Sequence, residues 1–208
     1  MGYGKTGDTL LQKTYDTFDF EGVYRDVLGT PEKGGIWIIY GKEKHGKTQH
    51  ALKLAEMLSK HVKVNYASGE EGLSYTFSES YERAQLDPKN KRLKFYDAPS
   101  IEEIDEGLGK RNSAKAVFID NETYYRDELK YGVVRELHKK YKSKKLFIYI
   151  CHEERGEPDG ATSKLIRKLA NVVMRVEGLN CFVSGRCPGG IITINEEKAE
   201  VYHGKLTE

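Results

Sequence analysis

Short apolar runs alternate with amphipathic segments along most of this chain. Residues 35–40, Gly-Ile-Trp-Ile-Ile-Tyr, form an uninterrupted apolar run that is typical of a strand buried on both faces. Downstream, apolar residues recur at helical spacing over 49–60. The alternation continues, predicting strands at 62–67, 92–96, 115–119 and 146–150, and helices at 73–86, 100–111, 127–141 and 162–170. It predicts a three-layer α/β fold with a mainly parallel central sheet.

The pattern changes after residue 170. Four short strands joined by turns are predicted, without intervening helices, at 172–177, 181–184, 190–195 and 199–203. Because consecutive strands joined by tight turns pair antiparallel, we expect a C-terminal antiparallel extension of the sheet.

The beginning of the chain lacks any sustained period. Residues 1–24 are polar for most of their length, and they are predicted to form a flexible arm. With 208 residues and 38% apolar content, the chain can bury one substantial core. We therefore predict a single domain over residues 25–208.

Charge and hydropathy exclude some function classes. The 34 Lys and Arg residues nearly balance 32 Asp and Glu residues, so no global basic field indicates nucleic-acid binding. No apolar stretch approaches the roughly 20 residues of a membrane span, and the N-terminus lacks the apolar core of a signal peptide. We therefore expect a cytoplasmic protein that does not engage a membrane.

A specific chemical pattern lies between the first predicted strand and helix. Residues 41–48, Gly-Lys-Glu-Lys-His-Gly-Lys-Thr, match the phosphate-binding pattern G-x-x-x-x-G-K-[ST]. There, backbone N–H groups curl around phosphate oxygens, and the helix N-terminus adds partial positive charge. The pattern predicts a nucleotide site formed by Gly41, Lys42, Glu43, Lys44, His45, Gly46, Lys47, Thr48 and Gln49.

Two residues of this loop and one strand end predict how ATP and Mg²⁺ are held. Lys47 would reach the β- and γ-phosphates, and the Thr48 hydroxyl would bind Mg²⁺. The apolar strand at 117–119 ends in Asp120, whose carboxylate would hold the metal's hydration shell. Strands also end at Asp because Asp favours turns, so the metal-binding interpretation of Asp120 depends on the presence of the phosphate loop.

Two adjacent carboxylates follow the second predicted strand. Glu70 and Glu71 would lie at the edge where ligands bind in open α/β sheets. One of them could orient and deprotonate an attacking water. The alternative is that they cap the next helix, since carboxylates favour its positive end.

Two further polar residues are candidates at strand ends. His152 ends the fifth predicted strand, where it could sense a γ-phosphate and signal to the loop at 153–160, or serve as a hydrogen-bonded structural histidine. Arg186 lies between late strands and could reach a neighbouring subunit's nucleotide, because its fork matches phosphate oxygens. An exposed Arg186 without function is the alternative.

Together these segments resemble the RecA-like ATPases, especially the RadA/Sms branch, from about residue 25 onward. The resemblance rests on the phosphate loop, on Tyr-Ala-Ser-Gly-Glu-Glu at 66–71, on Val-Phe-Ile-Asp at 117–120 and on Ile-Cys-His-Glu-Glu-Arg-Gly at 150–156. It implies that Glu70 activates water, that His152 senses the γ-phosphate and that Arg186 is an intersubunit arginine. The family's Lys-Asn-Arg-Phe-Gly motif is reduced here to Ser-Gly-Arg at 184–186.

The resemblance implies Mg-dependent ATP hydrolysis in DNA recombination, repair or replication. Its expected partners are single-stranded DNA and further copies of the chain, in a ring or filament. Near-neutral charge also allows a KaiC-like regulatory or assembly protein that acts on a protein partner. A small-molecule P-loop kinase is a third hypothesis, although no Arg-rich lid is found.

Overall fold

The computed structural model describes residue 4, residues 6–130 and residues 132–204. Within these ranges the strands form one sheet. One strand of two residues lies off the main strand order and pairs with its neighbour in a hairpin. The strands are β1 (Gly35–Gly41), β2 (Val64–Ser68), β3 (Leu93–Asp97), β4 (Ala116–Asp120), β5 (Leu146–Glu154), β6 (Glu157–Pro158), β7 (Val172–Glu177), β8 (Asn180–Gly185) and β9 (Gly190–Thr193).

The order of the strands confirms the predicted architecture. The sheet runs β3-β2-β4-β5-β1-β7-β8-β9, and β6 pairs with the end of β5. The strands from β3 to β7 along this order are parallel, whereas β8 and β9 continue antiparallel. The hairpin of β5 and β6 was not predicted, because its paired residues are mostly glutamates.

Helices cover both faces of the sheet. Within the described residues they are α1 (Gly7–Leu11), α2 (Gly22–Leu28), α3 (Lys47–Ser59), α4 (Tyr75–Ala84), α5 (Ile101–Gly109), α6 (Val133–Tyr141), α7 (Gly160–Leu169) and α8 (Glu196–His203). One core contains side chains of α2, α3 and α4, and the other contains side chains of α5, α6 and α7. In the part of the chain that the structure describes, no helix has the length and apolar character needed to cross a bilayer.

Strand β1 shows why a continuous apolar run marks the centre of such a sheet. Trp37 and Ile39 point into the first core, whereas Ile36 and Ile38 point into the second. All four side chains are fully buried, since successive strand residues face opposite sides and both sides are covered.

Two predicted elements at the later part of the chain are corrected. Residues 199–203 were expected to be a strand, but they belong to helix α8. The Asn195 side chain accepts a hydrogen bond from the Lys198 N–H at 3.0 Å, and two glutamates occupy the first turn, which together favour a helix start. Helix α6 is also shorter than predicted, because Gly132 adopts a left-handed φ of 96° directly before it.

The predicted arm contains both exposed and buried parts. Helix α1 has no buried residue, whereas Phe18 and Phe20 are buried, with ring centroids 5.0 Å apart. Thr17 forms an isolated antiparallel bridge with Glu32. The division at residue 24 stays a prediction, but packing against the core begins before it. Residues 1–3 and 5 of this arm lie outside the described residues.

Candidate functional site

Four neighbouring parallel strands end at one edge of the sheet. Gly41 of β1 pairs with His152 of β5, and Asp120 of β4 pairs with Ser68 of β2 and Ile150 of β5. Because these registers are aligned, side chains from separate segments of the chain converge at this carboxyl edge.

Two glycines shape the phosphate loop, residues 41–48. A Cβ atom at Gly41 would collide with the carbonyl oxygen of Val176, so only glycine allows β1 to lie this close to β7. Gly46 is the N-cap of α3 and has a left-handed φ of 98°, a conformation that favours glycine. The chain therefore turns sharply into α3, whose first residues are Lys47 and Thr48.

A cavity of about 290 Å³ opens between this loop and the carboxyl edge. We call it the nucleotide cavity. It collects groups from four separate segments of the sequence, including the carboxylate of Glu71. The predicted site residues that line it are Glu43, Lys44, Lys47, Thr48, Glu70, Asp120 and His152.

Lys47 presents a positive charge to this cavity. Its Nζ donates a hydrogen bond of 2.8 Å to the Lys42 carbonyl, which is a neutral partner. Burial lowers the Lys47 pKa, while the charges of Asp120 and Glu43 oppose that shift. An anion bound in the cavity would favour the charged ammonium further.

Asp120 is held by a buried tyrosine from the adjacent strand. The Tyr66 hydroxyl donates a hydrogen bond of 2.5 Å to Asp120 Oδ2. Burial raises the Asp120 pKa to about 6, the Tyr66 hydrogen bond opposes the rise, and Glu71 adds to it. A divalent cation would reverse this balance by stabilising the ionised carboxylate.

Asn121 joins two of the predicted residues. Its Nδ2 donates to Glu70 Oε2 at 2.5 Å and lies 2.6 Å from His152 Nε2. Glu70 Oε2 and His152 Nε2 are 3.6 Å apart. We call Glu70, Asn121 and His152 the Glu70 cluster. Sequence reasoning missed Asn121, whose one signal is its position directly after the strand-end Asp120.

Two buried groups are adjacent to the cluster in sequence, Glu122 after Asn121 and Cys151 before His152. Glu122 is fully buried and accepts a hydrogen bond from the Ser163 hydroxyl, which ties the end of β4 to α7. Burial raises the Glu122 pKa. Cys151 is also buried, and burial raises the pKa of its thiol, so this cysteine packs in the core and remains protonated.

Several predicted loop residues are not among those that line the cavity. The His45 ring turns toward the C-terminal extension, where its Nδ1 accepts from the Gly178 N–H at 3.0 Å and its ring packs on Tyr202. Gln49 lies in the first turn of α3 without lining the cavity. Their roles are therefore different from direct side-chain contact with a ligand in this cavity.

Arg186 lies at the other edge of the sheet. It follows β8, whose Gly185 pairs with Val172 at the start of β7. The Arg186 side chain is exposed, and its backbone N–H donates to the Asn171 carbonyl at 2.7 Å. The structure does not bring Arg186 to the cavity of its own chain, and its role toward a neighbouring subunit stays a prediction.

The groups around the nucleotide cavity fit a magnesium nucleotide. Lys47 and the start of α3 offer positive charge to phosphates. The Thr48 hydroxyl and the Asp120 carboxylate are hard oxygen ligands of the kind that Mg²⁺ prefers, while phosphate oxygens and water complete its coordination.

Solved structures share this arrangement of strands and helices. The flagellar accessory protein FlaH from Methanocaldococcus jannaschii superimposes with a TM-score of 0.58 at 16% identity, covering 86% of this chain and 92% of FlaH. A second solved structure, the ATPase domain of another protein, gives a TM-score of 0.56 at 14% identity, covering 81% of this chain and 84% of that domain. The fold is RecA-like.

This similarity confirms the predicted fold class, a three-layer α/β fold with a mainly parallel central sheet and a C-terminal antiparallel extension. The chain matches no protein-family model and no curated protein sequence. At such low identity the comparisons define the fold alone, so the activity must be argued from the residues of the site.

Proposed function

We propose that this chain is a Mg-dependent ATPase that hydrolyses ATP in the nucleotide cavity. The observation that carries the proposal is the convergence of Lys47, Thr48, Asp120 and Glu70 on one cavity. An accidental match to the loop pattern would not bring a metal-binding carboxylate and a second carboxylate from neighbouring strands. The fold that the chain shares with a solved ATPase domain agrees with it.

Each group has a defined role in this mechanism. Lys47 and the loop amides would hold the phosphates, and Thr48 and Asp120 would hold the metal, which when bound would neutralise charge that develops on phosphate oxygens. Glu70 takes a proton from the attacking water, so that the oxygen can bond to the γ-phosphorus as the bond to ADP breaks.

We assign water activation to Glu70 rather than to Glu71. Both carboxylates line the cavity, but Glu70 has a hydrogen bond from Asn121 that fixes one of its oxygens. The charges of Glu71 and Glu70 both raise the Asp120 pKa, so the Asn121 hydrogen bond is what distinguishes the two carboxylates. His152 is proposed as the γ-phosphate sensor, because it lines the cavity and directly precedes Glu153, the first paired residue of the β5–β6 hairpin.

The biological setting is part of the proposal. On the resemblance to the RadA/Sms branch, the chain would act in DNA recombination, repair or replication in the cytoplasm, as a ring or filament on single-stranded DNA. Arg186 is exposed far from its own cavity, so it is available to reach the nucleotide of a neighbouring copy.

A second candidate is a nucleotide-dependent protein that acts on a protein partner. The near-neutral charge of the chain favours it, and one structural neighbour, FlaH, is named a flagellar accessory protein. A salt titration of single-stranded DNA binding separates the two candidates, since phosphate contacts make affinity fall steeply with salt. Lack of DNA affinity at low salt would favour the protein partner.

The deciding experiment measures ATP turnover with Mg²⁺, with and without single-stranded DNA. Molecular mass is measured alongside, with and without nucleotide. We expect Mg-dependent turnover, a rise with DNA and a larger mass with ATP. Absence of ATP turnover would refute the proposed hydrolysis. Absence of calorimetric heat on mixing with Mg-ATP would refute nucleotide binding as well.

A further inference from the structure

We propose that Asn121 is a positioning residue that holds Glu70 and His152 in one hydrogen-bonded unit, so that His152 and Glu70 change orientation together. The proposal rests on the proposed ATP hydrolysis for its effect on rate. Its geometric part, the contact of Asn121 with His152, is independent of that activity and has its own test.

The orientation of the Asn121 amide is fixed by its own loop. Its Oδ1 accepts a hydrogen bond of 2.9 Å from the backbone N–H of Thr123, so its Nδ2 must face the cavity. Asn121 is only 7% exposed. Its two Nδ2 hydrogens are therefore available to Glu70 and His152 with little competition from water.

This orientation also fixes the histidine. An amide nitrogen donates and does not accept, so His152 Nε2, at 2.6 Å, must be the acceptor. The ring proton is then on Nδ1. A proton on Nε2 would face the N–H of Asn121 and break the contact, so the tautomer of His152 and the position of Asn121 are linked.

The Glu70 carboxylate depends on its hydrogen bond from Asn121 for its orientation. The Glu70 side chain is 64% exposed, and among the described residues Asn121 is its one hydrogen-bond partner. The bond occupies Oε2 and leaves Oε1 to accept a proton from water. Losing the bond would free Glu70 to rotate, which lowers the rate of a step that needs alignment more than it lowers nucleotide affinity.

The unit also connects the cavity to the surface. The His152 carbonyl accepts from the Asp159 N–H at 2.9 Å, which closes the hairpin of β5 and β6. The next residue, Glu153, forms a bidentate pair with Arg175 of β7 at 2.9 and 3.2 Å. A partner that displaces the hairpin would therefore move His152, and Asn121 would pass that movement to Glu70.

The test compares Asn121→Ala with Thr123→Ala. Asn121→Ala should lower kcat about tenfold while KM for ATP changes less than about twofold. Thr123→Ala is the matched control, because the bond to Asn121 comes from the Thr123 backbone and survives the substitution. Asn121→Asp is a second, isosteric variant that keeps this bond but replaces the donor with an acceptor, and it should lose turnover at least as strongly.

A second measurement does not depend on hydrolysis. ¹⁵N NMR of His152 in the nucleotide-free protein should show the proton on Nδ1, and this preference should weaken in Asn121→Ala but not in Thr123→Ala. Wild-type turnover in both Asn121 variants, or a wild-type His152 with its proton on Nε2, would overturn the proposal. If the variants do not fold, the wild-type spectrum decides. Absence of hydrolysis in the wild type would refute the proposed function and leave the spectrum to test the Asn121 contact.

Discussion

The phosphate loop and the Glu70 cluster lie at the same edge of the sheet but are held by different interactions. The loop depends on backbone geometry, with Gly41 against the Val176 carbonyl and Gly46 in a left-handed conformation. The cluster depends on side-chain hydrogen bonds between residues that follow β2 and β4 and a residue of β5.

Because of this difference, substitutions of the loop glycines should change stability, whereas substitutions in the Glu70 cluster should change the reaction. Gly41 has no space for a side chain and Gly46 has a left-handed φ, so replacing either residue should disturb packing and folding. Glu70 is largely exposed, so replacing it should change the reaction and leave the core intact. Each prediction below tests one side of this comparison.

The largest effect is expected for Lys47→Ala. Loss of the ammonium that neutralises phosphate charge should reduce ATP turnover about 10³-fold and weaken ATP binding as well. Turnover assays and calorimetry measure the two effects. Lys60→Ala, at the opposite end of α3, is the matched control and should behave as the wild type. Normal turnover in Lys47→Ala would place the reaction elsewhere.

A smaller and more selective effect is expected for Glu70→Gln. Turnover should fall about 10²-fold because the amide cannot accept the proton of water, while ATP binding remains. Glu71→Gln should reduce turnover much less. A reversed order of the two variants would identify Glu71 as the base and would contradict the assignment made from Asn121.

Gly41→Ala tests the loop through stability. The new methyl group would meet the Val176 carbonyl, so we expect a loss of about 3 kcal/mol in the free energy of unfolding, measured with denaturant. Gly107→Ala is the matched control. Apart from its chain neighbours and the nearby backbone of its own helix, no heavy atom lies within 4 Å of a Cβ there, and alanine in helix α5 should stabilise by about 0.5–1 kcal/mol. A stable Gly41→Ala protein would show that the loop can move away from β7.

Asp120→Asn is expected to give the smallest change in the free energy of unfolding, and this change depends on pH. The folded-state pKa of Asp120, about 6, is above its ordinary value of 3.8, so folding favours the protonated form. This contribution is complete below pH 3.8 and is lost as the pH rises through 6. Without Mg²⁺, the free energy of unfolding of the variant minus that of the wild type should therefore be about 1–3 kcal/mol larger at pH 7.5 than at pH 4, as measured with denaturant. A difference that does not change with pH would contradict the shift.

Much of the fold followed from local patterns. The apolar run of β1 marked a central strand because both faces of the sheet are covered, and the short runs after residue 170 marked the antiparallel extension. Helix α8 was missed because its start depends on a hydrogen bond of the Asn195 side chain, whereas the short run of residues at 199–203 resembles a strand. Burial of Phe18 and Phe20 was missed because polar neighbours surround them.

The residues of the site also divide into those that local sequence predicts and those that only the fold brings together. Lys47 and Thr48 were recognisable because their spacing in the loop is contiguous in sequence. Asn121 was not, because its contacts with Glu70 and His152 come from a register in which β4 lies between β2 and β5. His45, although inside the loop pattern, turns to Gly178 and Tyr202, which are more than 100 residues away.

Local sequence was enough to predict most strands and helices, the phosphate loop and the strand-end carboxylates, because these depend on neighbours within a few residues. The complete fold was needed to establish which strand ends meet, which loop side chains line the nucleotide cavity and that Arg186 lies at the opposite edge. The physical reason is that strand order and register are set by packing over the whole sheet. Residues such as Glu70, Asn121 and His152 come into contact only once that packing has brought their strand ends together.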